Sequence, residues 1–551
     1  MFKLYNSYTK RKEGFRPAHQ VGEARLRRPL KDKQVGMYNC GPTVYDYVHI
    51  GNLRAFLFAD ILRRYLEYRR YKVKQVMNIT DVGHMVADGE NGEDKMSVAM
   101  RREGKGPAEV ARFYEKAFFQ DINTLGIKPA WKYPRATEHI PEMIALIKKL
   151  LKRGHAYLVA ESAPPLTPPP QGGETNQFPP LPEGRLGGVG ASVYYDLSTF
   201  PNYGKLSGNK VDDLIPGARV DVIHEKRNPY DFALWIYKPE HVLKWSAPWG
   251  AGYPGWHLEC SAMSMKYLGQ TLDIHTGGED NKFPHHECEI AQSEGATGKP
   301  FARYWLHVKH LLVDGKKMSK SLGNFYTLKD LLQKGYSARA IRYALISTHY
   351  RETLNFTLES VKAAENALQR VDEVVDRLHP PSPQPSPARG EGVKRIPSPF
   401  MGEGQGEGFA RLVARTRKDF IAAMDDDLNV SKALAVMFEL VKKINKVMDR
   451  PSPVLRTPSP EGVEDGPSER RPRGGVGEGL KLLMEFDEVL GLGIGKSEKR
   501  TVPEEIMKLV QEREKARNKK DFGRADALRK EIAEHGYILE DTAQGPRVKL
   551  K

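Results

Sequence analysis

The segment from Val35 to Thr80 constrains the fold more than any other part of the chain. VGMYNC reads as a short buried strand, followed by a Gly-Pro turn. Beyond VHIGN comes LRAFLFADILRRYLEYRRY, in which Leu53, Phe56, Leu57, Ile61 and Tyr65 recur at helical spacing. VKQVMNIT then reads as a second strand. Strand, loop, helix and strand in this order open a parallel sheet. The loop sets His49, Gly51 and Asn52 at the helix start, where glycine permits close approach of a ligand and the helix offers free amides and a positive dipole to phosphate. HIGN by itself is weak, because four-residue strings recur by chance.

A second stretch carries metal chemistry. From Gly255 to Gln292 the chain reads GWHLECSAMSMKYLGQTLDIHTGGEDNKFPHHECEIAQ. Cys260, His285 and Glu289 are donors that zinc accepts. His285 and Glu289 are four apart and share one face of a helix. A fourth donor has to come from elsewhere, and the one cysteine outside this span is Cys40, in MYNCGPTVYDYVHIGN. His286 and Cys288 lie close by; Cys288 reads as a small buried residue. An HHxCE run alone is more often surface or core than a site.

The rest of the chain supplies the frame. Residues 137–154 read as a helix leading into a β-rich region around VYYDLS. YWLHVKHLLV reads as one alternating strand, followed by an Asp-Gly turn and KKMSKSLGN, a basic loop carrying Lys317 and Lys320. Standing alone, such a loop is usually a solvated turn. Thr327 to Asp330 resembles a capping box. From about 337 onward the pattern is helical, with Asp425, Asp426 and Asp427 near the junction of two long helices whose aliphatic stripe reads as bundle core. Residues 503–536 read as two charged helices, and YILEDT with RVKLK as a closing hairpin.

With 551 residues the chain can form several domains, and its net charge of +16 favours nucleic acid over membrane as a partner. Three cysteines are too few for a disulfide framework, and there is no apolar leader and no apolar run of 18 residues. A cytoplasmic protein without membrane spans is expected.

HIGN and KMSKS in one domain, together with CGPTVYDYVHIGN, GWHLECSAMS, FPHHECEIAQ, KMSKSLGN and DDLNVSKALAVMFEL, resemble the cysteinyl-tRNA synthetases, a class I aminoacyl-tRNA synthetase family. The resemblance spans nearly the whole chain. It implies an α/β Rossmann-type parallel-sheet catalytic domain over 1–345 with a connective insertion near 125–220. An α-helical bundle of the DALR type over 346–499 and a small anticodon-recognition domain over 500–551 are implied to follow. It implies one zinc ion held by Cys40, Cys260, His285 and Glu289, and a cysteine pocket lined by Thr80, Trp256 and Asp280. Trp256 reads equally as plain core. Lys320 matches the ATP-binding lysine. The implied partners are tRNA(Cys), L-cysteine and ATP with Mg2+, and the implied state is a monomer. Zinc suits this task because it prefers a thiolate to a neutral hydroxyl, whereas a pocket of ordinary shape separates cysteine from serine poorly.

Two features depart from the family pattern. In DVGHMVADGENGEDKM, the loop 82–96 sets Asp94 and Lys95 at a distance from the preceding strand instead of directly after it, and holds an unexplained His84. The chain ends GPRVKLK, without the terminal tryptophan often seen. Two rival functions are a ligase joining cysteine to an amino sugar and a non-catalytic RNA-binding paralogue; residues 500–551 argue against the first, intact HIGN and KMSKS against the second.

Three Pro-then-Gly segments, at about 162–190, 380–408 and 451–479, have too little apolar pattern to order themselves. They share fragments: PPQGGE beside PARGEG, and RLGGVG beside RGGVGEG. Proline codons (CCN) and glycine codons (GGN) are complementary, so a translated inverted repeat yields a Pro-rich arm followed by a Gly-rich one. The hypothesis of three inserted copies, tolerated in exposed loops, ranks above functional linkers. Sequencing the gene is expected to reveal palindromic arms in all three segments; arms that do not pair would eliminate it.

Overall fold

In the computed structural model a four-stranded parallel sheet forms the centre of the catalytic region. The structure describes residues 1–17, 33–82, 95–160, 190–209, 226–319, 322–378, 403–449, 474–495, 504–542 and 545–550. His84, Asp94, Lys320 and most of the three Pro-then-Gly segments lie outside them.

Strand β1 (Gln34–Asn39), helix α1 (Ile50–Tyr68) and strand β2 (Lys72–Met77) realise the expected opening unit. Helix α2 (Trp256–Leu268), β3 (Leu272–Gly278), α3 (His285–Thr297) and β4 (Ala302–Val308) complete the layer. The strand order is β4-β3-β1-β2, with every pairing parallel. β3 and β4 are buried along nearly their whole length, as strands covered on both faces are. The order reverses between β1 and β3, and a crevice at the carboxyl ends of such strands is where ligands bind in open α/β sheets.

An antiparallel five-stranded sheet lies between β2 and α2 in the chain, ordered Ala156–Ala160, Ala191–Tyr195, Phe232–Tyr237, Gly250–Pro254, Trp245–Ala247. It extends to Pro254, well past residue 220. Before it, the 137–154 reading resolves into a 3-10 turn, Ala136–His139, and the helix Ile140–Lys152.

YWLHVKHLLV is two strands rather than one. Ala302–Val308 belongs to the central sheet, and Leu311–Val313 pairs in a separate sheet with Leu354–Phe356 and Lys316–Lys317. The break falls at Lys309 and His310, where the Lys309 amide bonds the Tyr350 carbonyl at 2.8 Å and Arg54 takes both carbonyls. Alternation is blind to such partners. The Asp-Gly turn has φ of 50° at Asp314 and 73° at Gly315, the positive pair that a tight two-residue hairpin requires.

Thr327 caps Leu328–Gln333 with the reciprocal Thr327–Asp330 bonds of a capping box. The helical region packs Leu358–Leu378, Glu403–Asp425, Val430–Met448 and Gly474–Leu490 around buried Phe420, Leu434, Met437, Leu440, Ile444 and Phe486. Here the glycine-rich ends of two inserts depart from the expected lack of order: Glu403–Gly408 and Gly474–Gly479 form helix starts. For the second the reason is tertiary. A methyl at Gly479 would stand 3.1 Å from Ile444 and Phe409, so the backbone itself packs on the bundle.

Gly495–Lys551 forms a second compact unit. The helices Glu504–Asn518 and Phe522–Glu534 and the expected antiparallel hairpin Tyr537–Thr542/Gly545–Leu550 enclose Ile506, Val510, Ile532 and Leu539. Among the described residues no helix is long and apolar enough to cross a membrane.

A buried ion pair joins α1 to the helical region. Arg342 donates to Asp60 at 2.6 Å, to the Leu490 carbonyl at 2.9 Å and to the Leu125 carbonyl at 3.1 Å, while Arg64 reaches Asp60 at 2.7 Å. Burial alone would raise the Asp60 carboxyl; Arg342 and Arg64 hold it below its ordinary value. Replacing Arg342 by Met strips the carbonyls and one partner of Asp60, with an expected cost of ~3–5 kcal/mol in urea unfolding. A depressed carboxyl stabilises the fold above its unfolded pKa and loses that contribution as pH falls. The gap between wild type and Arg342→Met is therefore expected to narrow below about pH 4.

Candidate metal centre and nucleotide loop

Each donor is placed by an element that the local sequence dictates. Cys40 follows β1 directly, its amide 3.3 Å from the Thr276 carbonyl of β3. Gly41 makes that exit possible: a Cβ there would lie 1.7 Å from the Asn78 carbonyl oxygen, and the Gly41 amide donates to Asn78 Oδ1 at 2.8 Å. Gly255, which caps α2, would likewise strike the Ala233 carbonyl at 2.1 Å. The first two turns of α2 and α3 present Cys260, His285 and Glu289 to the end of β1.

The structure brings all four predicted donors together. Cys40, Cys260, His285 and Glu289 each offer one atom, all within 4.8 Å of one another, and all but Cys40 are fully buried. His285 Nε2 lies 3.0 Å from Glu289 Oε1. Tetrahedral zinc with bonds of about 2.0–2.3 Å sets its donors about 3.3–3.8 Å apart, so small side-chain adjustments fit the ion to this set. Burial opposes charge on Glu289, but the His275 and His285 imidazoles prevail and hold it down at about 2. Burial would also lower His285; its bonds to Cys260 and Glu289 raise it to about 10. A hydrogen bond with Cys40 and burial push the Cys260 thiol well up. His285 and Cys260 thus retain protons that a dication displaces on binding, whereas Glu289 is already ionised.

A tier of histidines lies behind the donors, and sequence reading missed most of it. Cys40, His275, His286 and Glu289 form a second grouping on the same distance criterion. His275 Nε2 meets Glu289 Oε2 at 2.7 Å, His286 Nε2 meets Cys40 Sγ at 3.2 Å, and His286 Nδ1 meets His307 Nε2 at 2.8 Å. His257 Nδ1 and His285 Nδ1 are 2.8 Å apart. Imidazoles so placed fix the orientation of the groups that hold a metal. The available signal was a histidine inside each of two apolar strands, DIHTGG and YWLHV. Cys288 faces elsewhere, its sulfur 3.3 Å from the Tyr203 hydroxyl.

The other expected pocket residues divide. The Trp256 ring lies 4.5 Å from the His285 ring, directly beside the donors. Asp280 is exposed in the turn Glu279–Lys282 that follows β3. Thr80 is buried, and its hydroxyl donates to Glu259 at 2.8 Å and accepts from Asn78 at 3.0 Å.

At the start of α1 the expected free amides are already engaged. His49 Nδ1 accepts from the Gly51 and Asn52 amides at 3.1 and 3.3 Å, and the Asn52 side chain accepts from the His49 amide at 3.1 Å. The Ile50 amide bonds the Tyr326 carbonyl at 3.0 Å. The dipole remains, and with Nδ1 accepting, the proton of a neutral His49 ring resides on Nε2. A methyl at Gly51 would lie 2.9 Å from the His49 ring, so the absent side chain makes room for that ring to cap the helix, and Met318 of the KMSKS segment lies 3.6 Å from the same position. Lys317 is exposed on the strand Lys316–Lys317, and Asn324 braces the segment by bonding the Lys317 carbonyl at 3.1 Å and the Ser319 amide at 2.8 Å.

Comparison with known proteins agrees with this arrangement. Residues 26–366 match the family profile "tRNA synthetases class I (C) catalytic domain", 419–494 the DALR domain and 499–547 the "Cysteinyl-tRNA ligase anticodon binding domain". The chain is 40% identical over 547 residues to a cysteine–tRNA ligase of Symbiobacterium thermophilum, covering 99% of this chain and 98% of the relative. It is 40% identical over 551 residues to the enzyme of that name from Chlamydia muridarum, covering 99% of each. Among solved structures, Mycobacterium tuberculosis methionyl-tRNA synthetase in complex with methionyl-adenylate shares the fold, with a TM-score of 0.52 and 14% identity over 75% of this chain and 83% of that one.

Cys260→Ser and His285→Ala are each expected to lower bound zinc, measured by elemental analysis of the purified protein, by about tenfold or more. Cys288→Ala, outside the donor set, is expected to keep it. Full zinc in the Cys260 variant would remove that residue from the metal shell.

Proposed function

The chain belongs to the cysteine–tRNA ligase family of class I aminoacyl-tRNA synthetases, and from that premise we propose that it activates L-cysteine with ATP and transfers the cysteinyl group to tRNA(Cys). We propose further that zinc held by Cys40, Cys260, His285 and Glu289 selects the substrate by its thiol. The observation that carries this reading is the convergence of the four donors beside Trp256, at the reversal point of the parallel sheet.

When bound, zinc supplies a preference for thiolate sulfur over hydroxyl oxygen. Trp256 walls the pocket over His285, while the exposed Asp280 carboxylate is suited to the substrate ammonium. Thr80, held by Glu259 and Asn78, keeps the opposite wall in place through the Asn78–Gly41 contact. The substrate carboxylate then attacks the α-phosphate of ATP, forming cysteinyl-adenylate and releasing pyrophosphate. The 3′-terminal adenosine of the tRNA attacks the acyl carbon and releases AMP.

His49 Nε2–H, at the positive end of α1, is suited to donate to phosphate oxygen, with Asn52 holding the histidine through its cap. Gly51 keeps the approach open. Lys317 and Lys320 neutralise charge that develops on the departing pyrophosphate, and Mg2+ accompanies ATP as part of the substrate. The working unit is proposed to be a cytoplasmic monomer, in keeping with cysteines that form no disulfide.

The decisive experiment is cysteine-dependent ATP–pyrophosphate exchange followed by charging of tRNA(Cys). Both activities are expected, with serine supporting exchange at least about a thousandfold less well. Lys317→Ala is expected to lower kcat for exchange by about tenfold or more while leaving zinc content unchanged. Exchange without tRNA charging would favour ligation of cysteine to an amino sugar. No exchange at all would favour a non-catalytic RNA-binding protein.

A further inference from the structure

We propose that Arg54 is a positioning residue that sets the spacing between the two ATP signatures, and that Asp427 of the helical region holds the same device from its other side. The proposal deepens the activation chemistry above and rests on that reading.

Arg54 sits five residues beyond His49 on α1 and is only 3% exposed. Its guanidinium is spread over four backbone carbonyls from two separate segments. Nη1 donates to Lys309 at 2.6 Å and His310 at 3.1 Å; Nη2 donates to His349 at 3.3 Å and Glu352 at 2.8 Å. All four N–H groups of the two terminal nitrogens are thereby used. A planar fork is the side-chain shape that can span such an array, and an ammonium group cannot.

Both segments lead to the KMSKS loop. Lys309 and His310 are the break in the long strand, immediately before Leu311–Val313. His349 to Glu352 is the turn before Leu354–Phe356, which pairs in parallel with Leu311–Val313. Leu311–Val313 in turn pairs with Lys316–Lys317. The Asp314 amide bonds the Phe356 carbonyl at 3.1 Å, and the Gly315 amide bonds Asn355 Oδ1 at 2.7 Å, so the hairpin tip is tied to the same strand. Arg54 thus grips both roots of the small sheet that carries Lys317, from the helix that carries His49.

The turn His349–Glu352 is held on its far side by Asp427. The buried Asp427 carboxylate accepts from the Tyr350 hydroxyl at 2.6 Å, from Arg351 Nε at 2.7 Å and from the Tyr5 amide at 2.8 Å, while His349 Nε2 meets its carbonyl oxygen at 3.0 Å. Asp427 itself has φ of 62° in the junction between two long helices, so its position follows theirs. A displacement of that junction reaches the loop through one turn and the paired strands Leu354–Phe356 and Leu311–Val313.

The test uses the full chain with Arg54→Lys and Tyr350→Phe. Deuterium uptake over residues 311–318 is measured beside exchange kinetics, zinc content and melting temperature. Arg54→Lys is expected to raise uptake there and lower kcat for exchange by about tenfold, with the KM for cysteine and the zinc content within about twofold of wild type. Tyr350→Phe, which deletes a single hydroxyl, is expected to shift both in the same direction by about threefold. A folded Arg54→Lys protein with wild-type uptake and kcat would overturn the proposal. Should that variant not fold, unchanged uptake in Tyr350→Phe would overturn it. Absence of cysteine-dependent exchange in wild type would instead sink the functional reading, and the uptake measurement would still decide the tie.

Discussion

Everything functional in this molecule depends on the parallel pairing of Met37–Asn39 with Ile274–Thr276. The two strands are more than two hundred residues apart in sequence, and their carboxyl ends emerge side by side. Cys40 leaves one, and the Glu279–Lys282 turn leaves the other. The Gly41 backbone presses against the Asn78 carbonyl so closely that no side chain fits there, and the exit direction of Cys40 is determined by that contact. Without this register, the cysteine of β1 and the imidazole and carboxylate of α3 would have no common centre.

Most of the catalytic core was legible in the chain. Helical spacing identified α1, and the separation of four between His285 and Glu289 stated their shared face before any coordinates. What stayed hidden was decided by distant partners. The apolar pattern in YWLHVKHLLV gives no sign of the break, because hydrophobicity records burial, not the arginine that captures two carbonyls in the middle. The amides of HIGN were expected to be free because the motif does not reveal that His49 folds back onto them. His275 and His307 were invisible as a tier because a strand histidine shows its neighbours only once the strands are in register. The Gly-rich start of the last bundle helix departs from propensity for the same reason: at Gly479 the backbone packs closely on Ile444 and Phe409.

The contact between the sheet domain and the helices is unusually polar at its centre. Asp60 with Arg342 and Asp425 with Tyr65 and Arg69 join segments hundreds of residues apart, and Asp427 meets Tyr350 and Arg351 from more than seventy residues away. Buried charges of this kind add modest net stability, but each tolerates only one arrangement of its neighbours. An apolar seam could slide. This one is keyed, and it meets α1 and the turn His349–Glu352, the two structures nearest the ATP signatures.

Ala160 and Ala191 face each other directly across the first two strands of the antiparallel sheet. The ends of the intervening segment are therefore one strand spacing apart, whatever its length. Closing a longer loop adds only about 0.6 kcal/mol for each doubling. This hairpin is in effect a socket: an inserted domain or a pair of new chain termini joined between Ala160 and Ala191 meets ends that the paired strands already hold together.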